Sequence, residues 1–294
     1  MIIKFYQESL KKNIKNNMVL FGQNITYGSR ISGITDGIEK LKNVKIINTQ
    51  NSEYSLIGFG FGIMLNKAKA IYFAKQIDFL LLGLDHIINT YNYILHRKEV
   101  GGFSIITYIV DSGYEGPQSR LHCLSEFSSM SFANCHYLVF PDDIALNLKL
   151  LNKNGFNIFC LSQKYSKLKD LKYPKIITKN KLNNIFLYKK GLKGVVVAYG
   201  FAAYEAYRMI NKKKLDVDFY VVTSPSANFN KEFIDSISSK KFLYIFDDSR
   251  SKIKSCSQLS EKILIMNNKI EIKYFLRKEN RQKLLVNSDN YRFS

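Results

Sequence analysis

Residues 48–65 read NTQNSEYSLIGFGFGIML, and one carboxylate, Glu53, stands at the mouth of an apolar run punctuated by glycines. Just before it, VKIINT (44–49) is a β-branched run that reads as a strand. Just after it, SLIGFGFGIMLNK (55–67) carries Gly58 and Gly62 one helical turn apart, so the run reads as a helix able to lie close against a neighbour. Strand, charged loop and buried helix in that order make one unit of an α/β sheet. The glycines do not form a dinucleotide-binding loop. That motif needs G-x-G-x-x-G directly after a strand, and here the third glycine falls one residue early, beyond an intervening loop.

Working outward, MVLFG (18–22) reads as a short buried strand ending in a glycine turn, preceded by a helix from Phe5 to Met18 and followed by a second from Ile34 to Leu41. AKAIYFA (68–74) is a strand, and IDFLLLGLDHIINTYNYILHRK (77–98) predicts one long amphipathic helix with Phe79, Leu82, His86, Asn89 and Tyr93 near one face. FSIITYIV (103–110) is an apolar strand leading into the loop DSGYEGPQSRLHC (111–123). CHYLVFPDDIALNLKLLNKNG (135–155) reads strand, turn at Pro141, helix, and FNIFCL (156–161) closes the series. From about residue 166 to 192 the chain is lysine-rich without clear periodicity, which marks a linker. A second series follows, with GVVVAYG (194–200) as strand, FAAYEAYRMINKKK (201–214) as helix and LDVDFYVVTS (215–224) as strand. The expected fold class is α/β, two consecutive α/β domains with mostly parallel sheets, over residues 1–168 and 193–294 with a linker at 169–192.

Composition narrows the function classes. The 294 residues, 46% hydrophobic, suffice for one large or two ordinary cores. The 44 basic and 24 acidic residues give a net charge of +20, but the lysines are scattered among asparagines and isoleucines with no arginine stripe or basic tail. That pattern reads as a solvated basic surface, and nucleic acid is not the expected partner. The longest apolar runs are too short to span a bilayer, and the N-terminus lacks an unbroken signal-peptide core, so the expected location is cytoplasmic. Cys123, Cys135, Cys160 and Cys256 form no CxxC pair and no metal-like cluster with the histidines. Neither the nucleophile elbow G-x-S-x-G nor the phosphate loop G-x-x-x-x-G-K-[ST] occurs. His122 precedes Glu126 by one helical turn at the end of a glycine-containing loop, where α/β sheets often put chemistry. His86 and His136 read as helix surface and strand edge.

Taken in order, GQNITYGSRISGITDGI, INTQNSEYSLIGFGFGIML, IDFLLLGLDHIIN, RLHCLSE with LVFPDD, GVVVAYGFAAYEAY and KFLYIFDD resemble one family over nearly the whole chain. The chain resembles the β subunit of the thiamine-diphosphate-dependent decarboxylating component of 2-oxoacid dehydrogenases (pyruvate dehydrogenase-like). More broadly it resembles the pyrimidine-binding and C-terminal domains of transketolase-type enzymes, in residues 1–168 and 193–294 respectively. The resemblance implies that Glu53 hydrogen-bonds the aminopyrimidine ring of thiamine diphosphate and shares a proton with it, that Phe79 and Leu82 contact the cofactor, and that His122 exchanges a proton near the substrate carbonyl. The family's acidic pair after the first glycine is Gln23 and Asn24 here, its Pro and apolar residue before Ser-Glu are Gln50 and Asn51, and His122 is flanked by Leu121 and Cys123.

The G-D-G motif with its downstream asparagine, which in such enzymes holds the diphosphate through Mg2+, does not occur. The resemblance therefore implies a separate α-type subunit carrying the diphosphate and Mg2+ ligands, self-association of the β-type subunit, and a heterotetramer. Two other readings of the resemblance stand beside this one. The chain could be the C-terminal half of a split transketolase moving a ketol unit between sugar phosphates, or a catalytically lapsed or nucleic-acid-binding descendant of the fold.

Overall fold

The computed structural model describes residues 1–97, 99–111, 124–169, 173–178, 184–250, 253–266 and 270–277. Two α/β units result, a first of Met1–Asp111 with Glu126–Leu171 and a second of Ser112–Ser125 with Lys172–Ser294.

The first unit holds a six-stranded sheet of β1 (Val19–Gly22), β2 (Lys45–Asn48), β3 (Lys69–Gln76), β4 (Gly102–Ile109), β5 (Asn134–Tyr137) and β6 (Gly155–Ser162), in the order β2-β1-β3-β4-β6-β5. Every pairing is parallel. Parallel strands covered on both faces are apolar throughout, and all eight residues of β4 are buried. The chain leaves β1 for β2 on one side and returns as β3 on the other, so the strand order reverses between β1 and β3. In open α/β sheets that reversal opens a crevice at the carboxyl ends of the strands.

Helix α1 (Ile2–Asn13) precedes the sheet, and α2 (Glu53–Leu65) lies on β3 and β4. The glycines of α2 explain the close fit. A Cβ on Gly60 would lie 2.3 Å from the Phe103 ring and one on Gly58 would lie 2.8 Å from His86 Nε2, whereas Gly62 meets nothing within 4 Å. The close approach expected of Gly58 and Gly62 thus belongs to Gly58 and Gly60. Beneath them Phe61, Phe103 and Phe156 meet at centroid distances of 4.9–5.2 Å, each aromatic pair contributing about 0.5–1.5 kcal/mol beyond its buried area.

Two helical expectations are corrected. Residues 34–41 form only a short 3-10 turn, Ile38–Lys40, because Gly33 (φ 94°) and Gly37 (φ 79°) take left-handed backbone that interrupts a helix. The long helix over 77–98 is a chain of short pieces, a 3-10 helix at Ile77–Gly83, a wide π turn at His86–Thr90 and an α-helix at Tyr91–Leu95. The side chains there bond along the turn, Asn89 Nδ2 donating to Asp85 Oδ1 (2.7 Å) and His86 Nδ1 meeting Thr90 Oγ1 at 2.9 Å. Asn, Thr and Ile are weak helix formers, so little opposes the break. Gly83 presses on Ile57 of α2, where a Cβ would come within 2.4 Å of Ile57 Cδ1.

The second unit is a five-stranded sheet of β7 (Ile185–Lys189), β8 (Gly194–Tyr199), β9 (Val217–Val222), β10 (Phe242–Asp247) and β11 (Glu271–Leu276), in the order β11-β10-β8-β9-β7. All pairings are parallel except β7 with β9. Strand β7 lies within the stretch expected as linker. The core joins Val195, Val197 and Ile245 of the sheet to Phe233 and Ile237 of the helix Lys231–Ser238 and to Leu259 and Ile263 of the helix Ser257–Met266.

Candidate functional site

Strand β1 ends at Gly22, whose φ of 151° and lack of a side chain let it lie against β3; a Cβ there would stand 2.5 Å from the Phe73 carbonyl oxygen. Gln23 and Asn24 then turn over the edge of the sheet, Asn24 in left-handed backbone (φ 55°). Asn48, the last residue of β2, accepts from Thr26 N–H at 3.2 Å and donates to Thr26 Oγ1 at 2.7 Å, which pins this turn to the neighbouring strand.

At the reversal between β1 and β3 these elements enclose a pocket of about 150 Å³. Gln23, Asn24 and Asn51 give it amide groups, and Tyr72, Phe73 and Lys75 come from the middle and carboxyl half of β3. Ser29, Ile31 and Ser32 form another wall. That wall is a run of left-handed backbone through Arg30, Ile31 and Ser32 (φ 44°, 52° and 54°), a conformation costing an L-residue about 1–2 kcal/mol each. It is held in place from outside, with Gln7 Nε2 donating to the Gly33 carbonyl at 2.6 Å, Thr35 Oγ1 donating to the Arg30 carbonyl at 3.1 Å, and Arg30 pairing with Asp36 and Glu39 at 3.9 and 3.6 Å. Strain of this kind persists where surrounding contacts over-determine a site.

Glu53 completes the pocket from the first turn of α2, where the helix N-terminus favours a carboxylate. It is 5% exposed and has no hydrogen-bond or ion-pair partner among the described residues. A buried carboxyl without a partner is costly, so this one is poised for a ligand. Tyr72 reports its nearness: burial first, and the charge of Glu53 second, push the phenol well above the usual tyrosine range. Tyr72 also stacks on Phe21 of the paired strand β1 at 5.3 Å and 12°, which fixes its ring.

Phe79 and Leu82, expected at the cofactor, lie on the 3-10 helix that follows β3. Phe79 is half-buried, Leu82 is 64% exposed, and neither lines this pocket. His122, with Leu121 and Cys123, lies outside the described residues. Tyr72, Lys75 and the 29–32 wall are not singled out by the sequence. A lysine after the apolar run Ala70–Ala74 is the signal that could have drawn attention to Lys75.

No protein-family profile matches the chain, and no curated protein matches it in sequence. Solved structures do match in fold. One, described as a split gene transketolase, inactive beta4 tetramer, superposes with a TM-score of 0.63 over 96% of this chain and 90% of its own, at 10% identity. The fold is transketolase-like. The transketolase-like architecture accounts for both units, since the similarity spans nearly all of each chain. Among the described residues no group of His, Cys, Asp or Glu is arranged to hold a metal ion, and no helix is long and apolar enough to cross a membrane.

Proposed function

We propose that this chain is the β-type subunit of a thiamine-diphosphate-dependent enzyme that decarboxylates a 2-oxo acid, with an active site completed by a separate α-type subunit. The observation that carries this reading is Glu53, a buried carboxyl without a hydrogen-bond or ion-pair partner among the described residues, at the sheet's strand-order reversal. The donor set suits an aminopyrimidine. A carboxyl and the amides of Gln23, Asn24 and Asn51 offer acceptors and donors to ring nitrogens and an amino group, and Tyr72 and Phe73 offer flat apolar faces. When bound, thiamine diphosphate supplies an electron sink for cleaving the bond beside a keto carbonyl.

In this account the Glu53 carboxyl shares a proton with a ring nitrogen of the bound cofactor, a role that suits a buried group because low polarity makes proton sharing with a neighbour stronger. Phe79 and Leu82 are assigned to the cofactor's face, and His122 to proton exchange at the substrate carbonyl. The diphosphate and Mg2+ are assigned to the α-type subunit. Exposed Leu81, Leu82, Tyr93 and Leu95 supply apolar surface for a subunit contact.

Ketol transfer between sugar phosphates is the second reading, supported by the fold neighbour described as a split gene transketolase. The test is to reconstitute the chain with a subunit carrying G-D-G and a downstream asparagine, in the presence of thiamine diphosphate and Mg2+. Turnover of pyruvate or a branched 2-oxo acid with an artificial electron acceptor supports the first reading. Turnover of a ketose phosphate donor alone overturns it in favour of the second.

A further inference from the structure

Two opposite charges line the Glu53 pocket without touching. Lys75, at the carboxyl end of β3, is the one cation among the described lining residues, and Glu53 is the one anion. They form no ion pair with one another, and Lys75 has no hydrogen-bond or ion-pair partner among the described residues. Arg30, next to the lining residues Ser29 and Ile31, is paired with Asp36 and Glu39. The neutral polar groups of Gln23, Asn24, Ser29, Ser32 and Asn51 share the pocket lining and can hydrogen-bond a ligand without adding charge.

We propose that Lys75, a pocket-lining residue whose side chain is exposed, is a specificity-determining residue that pairs with the anionic group of the substrate, a carboxylate or a phosphate, while Glu53 and the amides hold the aminopyrimidine. A lysine ammonium is a point charge that accepts either anion without the planar matching an arginine imposes. The anchoring of a substrate by this residue rests on the thiamine-diphosphate reading above; the anion site itself does not. A pocket lined by one cation and one carboxylate that do not pair with each other favours a ligand that brings an anionic group to Lys75. It discriminates against wholly neutral keto compounds and against wholly anionic ones that crowd Glu53.

The experiment uses the full chain by itself and then with its partner subunit. Thermal unfolding of wild type, Lys75→Met, Lys75→Arg and Glu53→Gln is followed in inorganic phosphate and in pyruvate, each against sodium chloride of equal ionic strength. Phosphate stabilises folded proteins non-specifically, so the readout is the increment that wild type shows beyond Lys75→Met. The expected result is an increment present in wild type, absent in Lys75→Met, retained in Lys75→Arg and enlarged in Glu53→Gln, where the opposing charge is gone. An increment from phosphate alone identifies a phosphate-bearing substrate, and one from pyruvate alone a 2-oxo acid. With the partner, Lys75→Met should raise KM for the anionic substrate about 10- to 100-fold, as for a lost charged hydrogen bond, with kcat little changed. Equal increments in wild type and Lys75→Met overturn the proposal even if thiamine-dependent turnover is found. A Lys75-dependent increment in a chain that gives no turnover with any partner keeps the anion site and removes the enzymatic reading.

Discussion

Tyr72 and Glu53 face one pocket from two different elements, and the carboxylate's charge adds to burial in holding the Tyr72 phenol protonated. The pair joins the middle of β3 to the start of α2, the helix that leads into that strand. Removing the charge therefore has a direct spectroscopic consequence. In Glu53→Gln, an absorbance titration should show one tyrosine ionising at lower pH than in wild type, and the difference should vanish in a Tyr72→Phe background. A shift that survives Tyr72→Phe would mean that the two groups are not coupled.

Burial raises more than this one phenol. Tyr6 and Tyr199 are pushed well up, and Tyr108 is pushed up to about 12, with desolvation the first cause for each. The sign follows from which state holds the proton. Below the usual tyrosine value of about 10 both folded and unfolded chains keep these protons, and stability is unaffected. Above it the unfolded chain releases protons that the folded chain retains, so stability falls as pH rises. The slope is about 1.4 kcal/mol per pH unit for each phenol released only on unfolding. Urea unfolding across pH 8 to about 11 should show an onset near the ordinary tyrosine value.

The glycines of α2 give opposite predictions two residues apart. Gly60→Ala forces a methyl into the Phe103 ring and should cost about 1–3 kcal/mol, as overpacking does. Gly62→Ala meets no neighbour and should stabilise by up to about 1 kcal/mol through helix propensity. Equilibrium urea unfolding of the two variants against wild type measures both.

Gly22→Ala tests the turn that opens the pocket. Its Cβ would meet backbone, the Phe73 carbonyl at 2.5 Å, and no rotamer change can relieve that. Loss of at least about 2 kcal/mol is expected, from the strain and the displaced strand edge, together with loss of any ligand-induced stabilisation. A variant as stable as wild type would show that β1 and β3 are not so closely apposed.

Much of the sheet was legible because parallel strands are continuous apolar runs. β1, β3, β4 and β6 coincide with MVLFG, AKAIYFA, FSIITYIV and FNIFCL within a few residues. Glu53 was legible too, as a charge at the junction of a strand and an apolar helix. The rest escaped for physical reasons. β7 sits in lysine-rich surroundings and pairs antiparallel at the sheet's edge, and β11 is an edge strand that stays half-exposed. The left-handed run at Arg30–Ser32 contains a β-branched isoleucine that local propensity assigns elsewhere, and tertiary contacts, among them those of Gln7, Thr35, Asp36 and Glu39, hold it. The break-up of residues 77–95 depends on side-chain bonds along the turn and on Gly83 against Ile57, which no periodicity reveals. The place of Lys75 depends on where β3 meets the pocket, which the sequence of the strand does not encode locally.

The central claim is that Glu53 shares a proton with a bound aminopyrimidine, and turnover of the Glu53→Gln variant tests it most directly. With the α-type partner, thiamine diphosphate and Mg2+ present, and folding verified by circular dichroism, turnover should fall about 10²- to 10⁴-fold, the usual contribution of a positioned acid–base group. Turnover equal to wild type would contradict the account.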